Sequence, residues 1–178
     1  MGDVRVLEIK QSVFANNDKH ADKLRKELKE KGIYLLNLMS SPGSGKTSTL
    51  LRLIEELKPY LRIGIMEADI DSDVDARTIA ATGTKTIQLH TGGMCHLDAS
   101  MTWQGLEGLD PKDTELIILE NVGNLVCPAE FDTGAVKNAM ILLAMATIML
   151  SCQQAEDEVF FTEEGFEEVA LQSEITSV

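Results

Sequence analysis

The chain has few basic residues, few cysteines and no long hydrophobic run. Its 16 lysines and arginines stand against 29 aspartates and glutamates, which gives a formal net charge of −13. A nucleic-acid-binding face needs clustered lysines and arginines, so this balance argues against nucleic acid as a partner. The densest basic stretch, residues 19–31, is interleaved with acidic residues, and we interpret it as a solvated helix face.

The absence of a long apolar run also bears on location. The run at residues 139–150 is far shorter than the roughly 20 residues that a membrane-spanning helix requires. The first residues lack the apolar core of a secretory signal. We therefore expect no membrane partner and a cytoplasmic location. The three cysteines are an odd count, which in a reducing compartment favours metal or redox chemistry over a disulfide framework.

An apolar run, a glycine-rich turn and a helix-like pattern follow one another in residues 34–51, YLLNLMSSPGSGKTSTLL. This order is typical of a phosphate-binding loop, in which backbone amides and a lysine hold a polyphosphate and a threonine hydroxyl binds Mg²⁺. Ser40 replaces the first glycine of the strict pattern, and the alternative is a Gly/Ser turn that happens to end in Lys-Thr. The predicted residues of this phosphate loop (residues 42–48) are Pro42, Gly43, Ser44, Gly45, Lys46, Thr47 and Ser48.

Helix and strand patterns alternate through most of the chain. Helices are predicted over 17–31, 47–57, 76–82 and 97–109, and strands over 33–39, 62–68, 85–89 and 115–119. This alternation predicts an α/β fold with a mainly parallel β-sheet and helices on both faces, in which ligands bind at the carboxyl ends of the strands.

We expect a single domain over residues 1–178. It is divided into an N-terminal helical segment (1–32), a nucleotide and metal core (33–134) and an atypical acidic C-terminal part (135–178). In the C-terminal part, a strand is predicted over 159–162 and a short helix after Gly165.

The apolar run LIILE places a carboxylate, Glu120, at the end of a predicted strand. Such a carboxylate can approach Mg²⁺ or its water shell beside the phosphate loop. The backbone amide of Gly123, three residues later, can bind a γ-phosphate. The segment after Glu120 is therefore interpreted as a nucleotide-sensing switch, the alternative being an ordinary turn at a strand end.

Four aspartates alternate in residues 69–75, DIDSDVD. The pattern is not an EF-hand, because the sixth position is Val74 and the twelfth is Ala80. A loop at this point faces the nucleotide, so one carboxylate can orient Mg²⁺ or the attacking water. Asp75 is the preferred candidate and Asp69 the next, while Asp71 and Asp73 are interpreted as solvated.

Cys95-His96 and Cys127-Pro128 form a further candidate site. Thiolate and imidazole together suit soft or borderline divalent metals, although three donors are one short of a closed tetrahedral site. A symmetric dimer or a water molecule can complete it. The alternative is a buried thiol pair with a loop histidine. The remaining cysteine and histidines, Cys152, His20 and His90, are assigned to the core, although His90 can alternatively assist at the sheet edge.

Four motifs together resemble the HypB family of hydrogenase maturation GTPases, which incorporate nickel. They are PGSGKT at 42–47, EADIDSDVDA at 67–76, HTGGMCHLDA at 90–99 and ENVGNLVCPAEFD at 120–132, and the similarity runs over about 34–134. The resemblance implies a P-loop NTPase that hydrolyses GTP with Mg²⁺ and delivers nickel during nickel-iron hydrogenase maturation. It implies a nucleotide- and metal-dependent homodimer and contacts with other hydrogenase maturation proteins.

The same resemblance assigns roles to individual residues. Lys46 and Thr47 bind phosphate and Mg²⁺. Asp75 and Glu120 serve the magnesium and water network, so that the catalytic set is Lys46, Asp75 and Glu120. The residues Cys95, His96 and Cys127 form a nickel or zinc site at the dimer interface.

One family motif is missing. No Asn-Lys-x-Asp sequence, which reads guanine in this family, follows Gly134. Specificity for GTP over ATP is thus implied by the resemblance and not visible in the residues. Two alternatives stay open: a metal carrier or dimer scaffold that does not hydrolyse nucleotide, and a small P-loop kinase that requires an acceptor molecule.

Overall fold

The computed structural model describes residues 5–8, 17–69, 74–143, 157–160 and 169–170. The strands are β1 (Arg5–Glu8), β2 (Tyr34–Ser40), β3 (Ile63–Asp69), β4 (Lys85–His90), β5 (Leu116–Glu120), β6 (Lys137–Leu143), β7 (Asp157–Phe160) and β8 (Val169–Ala170). The helices are α1 (Asn17–Glu30), α2 (Lys46–Leu57), α3 (Val74–Ala80), α4 (Ala99–Leu109) and the short α5 (Cys127–Glu130). The predicted helices and strands of the core agree with these bounds to within a few residues.

The strands form one sheet in the order β1-β4-β3-β5-β2-β6-β7-β8. All neighbours from β1 to β6 are parallel, and the last two pairings are antiparallel. The predicted mainly parallel sheet is thus confirmed. Because β2, β3, β4 and β5 run in the same direction, the segments that follow them lie at the same edge of the sheet.

Helices cover both faces of the sheet and bury apolar side chains against it. On one face, α1 and α4 contribute Leu24, Leu28 and Met101 to a core with the β3, β4 and β5 strands. On the other face, α2 and α3 contribute Leu50 and Ile79. Each such side chain stabilises the fold by about 1.5–3 kcal/mol relative to exposure. The two apolar layers hold the strand ends in place, and with them the polar residues at the sheet edge.

Three strands, β1, β6 and β8, were not predicted from the sequence. The segment expected to be helical at the amino terminus also contains β1, which pairs with β4. The apolar run at 139–150 begins inside β6, which lies beside β2. Periodicity cannot separate a buried strand from a buried helix in such a run. The strand predicted over 159–162 is β7, two residues earlier. The helix predicted after Gly165 lies outside the described residues, except for Val169 and Ala170, which form β8.

Helix α1 is fixed to the loop that follows α5. The Asn17 side chain accepts a hydrogen bond from Ala99 N at 2.9 Å and donates one to Asp132 O at 2.8 Å. The Arg25 guanidinium donates to both carboxylate oxygens of Asp132, at 2.8 and 2.6 Å. A bidentate pair of this kind fixes orientation as well as distance. Within the described ranges, no helix is long and apolar enough to cross a membrane.

Candidate nucleotide and metal sites

The phosphate loop leaves the buried end of β2 and leads into α2. Gly43 and Gly45 have φ angles of +76° and +84°, a region that residues with a Cβ rarely adopt. Gly45 is the N-cap of α2, and within the described part of the chain no side chain caps this helix start. Uncapped amides at a helix amino terminus, together with the helix dipole, form an anion site. Thr47 lies half-buried in the first turn, beside the exposed Ser48.

The segment after β5, which we call the switch segment (residues 121–130), contacts the phosphate loop directly. A Cβ added to Gly123 would lie 3.3 Å from Pro42 Cγ, tighter than nine in ten real Cβ contacts. An isolated antiparallel bridge also joins Asn124 to Ser40, at the end of β2. Glycine at position 123 therefore lets the two loops approach closely. The γ-phosphate contact at the Gly123 amide stays a prediction.

Three carboxylates converge beside the phosphate loop. Glu67, Asp75 and Glu120 each place one oxygen within 4.8 Å of the other two, and we call them the carboxylate cluster. Lys46 Nζ lies 3.7 Å from Glu120 Oε1. The structure thus brings together Asp75 and Glu120, both singled out in the sequence, while their roles stay predictions. Asp69 ends β3 nearby, whereas Asp71 and Asp73 lie outside the described residues.

Sequence reasoning assigned no role to Glu67. This residue is in β3 opposite Glu120 of β5, so the two side chains project from the same face of the sheet. The signal was present as a carboxylate that follows the apolar residues IGIM within β3, where a buried charge requires a reason. The pairing with Glu120 could not be read, because β3 and β5 are not consecutive in sequence.

Burial shifts the ionisation of both strand carboxylates. It raises the pKa of Glu67 from an ordinary 4.5 to about 8, and the nearby charge of Glu120 acts in the same direction. Burial also raises the pKa of Glu120 to about 7, although the ammonium group of Lys46 opposes that rise. Desolvation penalises a carboxylate that lacks an adjacent cation. A divalent cation would remove that penalty by displacing the protons, so the residues present fit Mg²⁺.

The two thiols predicted as metal ligands lie close together. Hydrogen bonding to the Cys127 side chain raises the pKa of the Cys95 thiol, and burial adds to the rise. Cys95 Sγ is 3.9 Å from His96 Nδ1. Both cysteines are free and half-buried. Two thiols and an imidazole in this proximity suit a borderline metal such as Ni²⁺ or Zn²⁺.

The surroundings of His96 favour its neutral form. Burial lowers its pKa, with the charge of Asp98 acting in the opposite direction. The ring stacks on Phe131, with centroids 3.6 Å apart and an interplanar angle of 12°. Its Nε2 atom is buried without a hydrogen-bond partner among the described residues. A neutral imidazole is the form that binds metals.

The three sulfur and nitrogen donors do not form a compact triad. Among the described residues, the carboxylate cluster is the one group of three such side chains whose ligand atoms all lie within 4.8 Å of one another. One chain therefore supplies an incomplete soft-metal site. Of the side chains assigned to the core, His20 was assigned wrongly, because it is exposed. His90 is half-buried. Cys152 lies outside the described residues.

A glycine-rich loop between a central parallel strand and a helix, facing a strand-end carboxylate and a lysine, defines a P-loop nucleotide-binding protein. Comparison with known families agrees with this class. The model of the CobW/HypB/UreG nucleotide-binding domain matches residues 34–173, and the chain belongs to this family. That match extends well past Gly134, where the motif resemblance ends.

Similar proteins include maturation factors from bacteria and an archaeon. The hydrogenase maturation factor HypB of Rhizobium leguminosarum bv. viciae is 42% identical over 142 residues, which are 80% of this chain and 48% of that protein. The crystal structure of HypB from Helicobacter pylori in complex with nickel has a TM-score of 0.67 and 36% identity, covering 72% of this chain and 60% of that one. The crystal structure of hydrogenase maturation factor HypB from Archaeoglobus fulgidus has a TM-score of 0.64 and 38% identity, covering 71% and 62%. The chain spans about half the length of the curated relatives it matches.

Proposed function

We propose that this protein is a GTP-hydrolysing metallochaperone that delivers nickel during the maturation of nickel-iron hydrogenase. One observation carries the proposal. The switch segment contacts the phosphate loop at Gly123, and four residues later it presents the Cys127 thiol to Cys95. A change at the γ-phosphate therefore reaches a metal ligand through a few residues of backbone. The names of the similar proteins, hydrogenase maturation factors and one nickel complex, support the same reading.

Hydrolysis depends on positioning and on charge neutralisation. Lys46 and the amides of the phosphate loop would hold the β and γ phosphates, and Thr47, Asp75 and Glu120 would hold Mg²⁺. When bound, Mg²⁺ supplies charge for the phosphate oxygens during transfer. Glu120 is 1% exposed and already faces Lys46, so its carboxylate lies where the lysine meets the phosphates.

Nickel is the cargo, and its site is completed by a second copy of the chain. Cys95, His96 and Cys127 provide three donors that are not compact within one chain. The surface around Cys127 is open: Val126, its neighbour, is 70% exposed. An exposed apolar residue next to a half-buried thiol suits a contact across a two-fold axis, where each chain contributes the same ligands. Zinc has similar ligand preferences and competes for the site.

The test is calorimetric titration of the full chain with GTP and with ATP, each with Mg²⁺. We expect both nucleotides to bind the wild-type chain and neither to bind Lys46→Ala, because the lysine faces ligand and not core. Lys26→Ala, at an exposed position on α1, is the matched control and should bind normally. Wild-type affinity in Lys46→Ala would contradict the phosphate-loop assignment.

The same titrations test base recognition and the alternatives. Rejection of a wrong base comes from buried polar groups that it leaves unpaired, and the Asn-Lys-x-Asp motif that would supply them is missing. We therefore expect similar affinities for GTP and ATP, and a preference of several hundred-fold for GTP would place a base reader within residues 135–178. Turnover that requires an added acceptor would indicate a kinase, and metal binding without hydrolysis would indicate a carrier or scaffold.

A further inference from the structure

A row of polar side chains crosses the face of the sheet that α2 and α3 cover. Glu120 of β5 lies opposite Glu67 of β3, and Glu67 lies opposite Gln88 of β4. On the same face of the sheet, the residues two positions before Glu67 and Glu120 are Ile65 and Ile118. Both are buried core residues. Three polar side chains in adjacent positions of an apolar layer require a purpose, since apolar residues there would pack without the cost of desolvation.

The side chains of this row are buried, and their polar atoms are poorly paired. Glu67 is 3% exposed, Glu120 1% and Gln88 0%. One carboxylate oxygen on each glutamate has no hydrogen-bond partner among the described residues. The Gln88 amide interacts with Glu67 and favours its ionised form, but neither of its polar atoms makes a hydrogen bond of good geometry within the described part of the chain. Buried polar groups in native proteins are nearly always paired, so unpaired ones that converge indicate a missing ligand. The unpaired, buried carboxylate oxygens of Glu67 and Glu120 are the main sign of that ligand, and Gln88, beside Glu67, supports it.

The chemistry of the cluster defines that ligand. Asp75, from α3, brings a third carboxylate oxygen within 4.8 Å of those of Glu67 and Glu120. Carboxylate oxygens at this spacing repel one another when ionised, and Lys46, at 3.7 Å from Glu120, contacts one edge of the group. Oxygen donors of this kind prefer hard divalent cations such as Mg²⁺, Mn²⁺ and Ca²⁺.

We propose that Glu67, Asp75 and Glu120 bind a hard divalent cation before any nucleotide is present, and that this cation releases Lys46 from Glu120. The site shares Asp75 and Glu120 with the magnesium network of the proposed function and adds Glu67. It needs no phosphate, so its existence does not rest on the proposed function. Only the consequence of cation binding rests on the proposed function, namely that Lys46, no longer paired with Glu120, becomes available to bind the triphosphate. Cation and triphosphate then favour each other's binding.

The test is Mn²⁺ binding to the nucleotide-free full chain, followed by electron paramagnetic resonance. Cys95→Ser and Cys127→Ser are present in every sample, so that thiols do not compete for the probe. We expect about one Mn²⁺ per chain, weakened tenfold or more by Glu67→Gln, as expected when a carboxylate that serves a metal is lost. Glu30→Gln, an exposed change on the opposite face of the sheet, should leave the affinity unaltered. Absence of Mn²⁺ binding, or an equal affinity in Glu67→Gln, would overturn the proposal.

Two further variants test the cation site and its competition with Lys46 independently of Glu67. Asp75 is exposed, so Asp75→Asn tests the cluster without disturbing the core, and it should weaken Mn²⁺ binding as well. Lys46→Ala should bind Mn²⁺ more tightly than the parent, because the lysine no longer competes for Glu120, while it loses triphosphate binding. Weaker Mn²⁺ binding in Lys46→Ala would refute the competition. Mn²⁺ binding without nucleotide binding would refute the proposed function alone, and the reverse result would refute this site alone.

Discussion

Glu120 lies close to groups of both charges, the ammonium of Lys46 and the carboxylate of Asp75. Its burial and the carboxylate of Asp75 favour the protonated form, whereas Lys46 favours the ionised form. A small change in the surroundings, such as the arrival of Mg²⁺, therefore decides its charge. A carboxylate with this sensitivity can orient a cation and its water without remaining permanently paired.

Glu120→Gln keeps the shape of this side chain and removes its charge. We expect the variant to retain part of its nucleotide affinity, because the phosphate loop is intact, and to lose about 100-fold or more in hydrolysis, as is usual when a positioned acid or base is removed. Single-turnover hydrolysis of GTP measures the chemical step. Glu130→Gln, an exposed change in α5, is the control. A wild-type rate in Glu120→Gln would exclude the role given to this carboxylate.

The raised pKa of Glu67 predicts how the free energy of unfolding of the cation-free protein depends on pH. Its pKa is about 8 in the folded chain and 4.5 ordinarily, so between these values the folded state holds a proton that the unfolded state has lost. The proton on Glu67 therefore makes its full contribution to the free energy of unfolding below pH 4.5. This contribution is lost as the pH rises through about 8. Glu67→Gln removes this dependence.

Urea unfolding in the presence of EDTA, from pH 5.5 to pH 8.5, measures the effect. We expect Glu67→Gln to become increasingly stable relative to the wild type as the pH rises, by about 1 kcal/mol for each pH unit over which the proton is retained. Glu30→Gln should follow the wild type. Parallel curves for Glu67→Gln and the wild type would show that Glu67 is not held protonated by the fold.

At the scale of elements, the switch segment is fixed at both ends. At its start, Asn121 donates to Asn37 at 3.1 Å, and Asn37 donates to Asn138 of β6 at 2.9 Å. Asn121 also accepts from the amide of Val122 at 2.9 Å. Beyond its end, Asp132 is held by Arg25 of α1. Any movement driven by nucleotide is therefore confined between these anchors, where Gly123 and Cys127 lie.

Gly123→Ala tests the contact between the switch segment and the phosphate loop. The new Cβ would be 3.3 Å from Pro42 Cγ, a tight contact that pushes the two loops apart by a few tenths of an ångström. A shift that breaks one hydrogen bond to a charged phosphate costs about 1.5–3 kcal/mol, which is roughly tenfold to 100-fold in affinity. We expect this loss for a non-hydrolysable GTP analogue and little change for GDP, both measured by calorimetry.

The control for Gly123→Ala is Glu130→Gln, an exposed change in the same segment. It should leave both affinities unaltered. Equal weakening of the triphosphate and the diphosphate by Gly123→Ala would mean that position 123 supports the loop in general and does not sense the γ-phosphate.

At the scale of the whole molecule, the sequence predicted what depends on neighbouring residues. The phosphate loop, the strand-end carboxylate Glu120 and the alternation of helix and strand are local patterns, and the structure contains all of them. The partnership of Glu67 with Glu120 and the chain of asparagines from Asn121 to Asn138 depend on register between strands that are far apart in sequence. No local pattern carries that register. For the same reason, β6 could not be recognised in the apolar run at residues 139–150.

The central claim is that the nucleotide and metal sites act as one unit through the switch segment. If so, metal and triphosphate must alter each other's affinity by the same factor, and shared ligands must make both favour a dimer. Sedimentation velocity of the full chain with Ni²⁺, with a non-hydrolysable GTP analogue, and with both tests this most directly. We predict a shift from monomer to dimer that is largest with both ligands, and that Cys127→Ala loses the nickel-dependent part. Sedimentation that is the same in every condition, and unaltered by Cys127→Ala, would contradict the account.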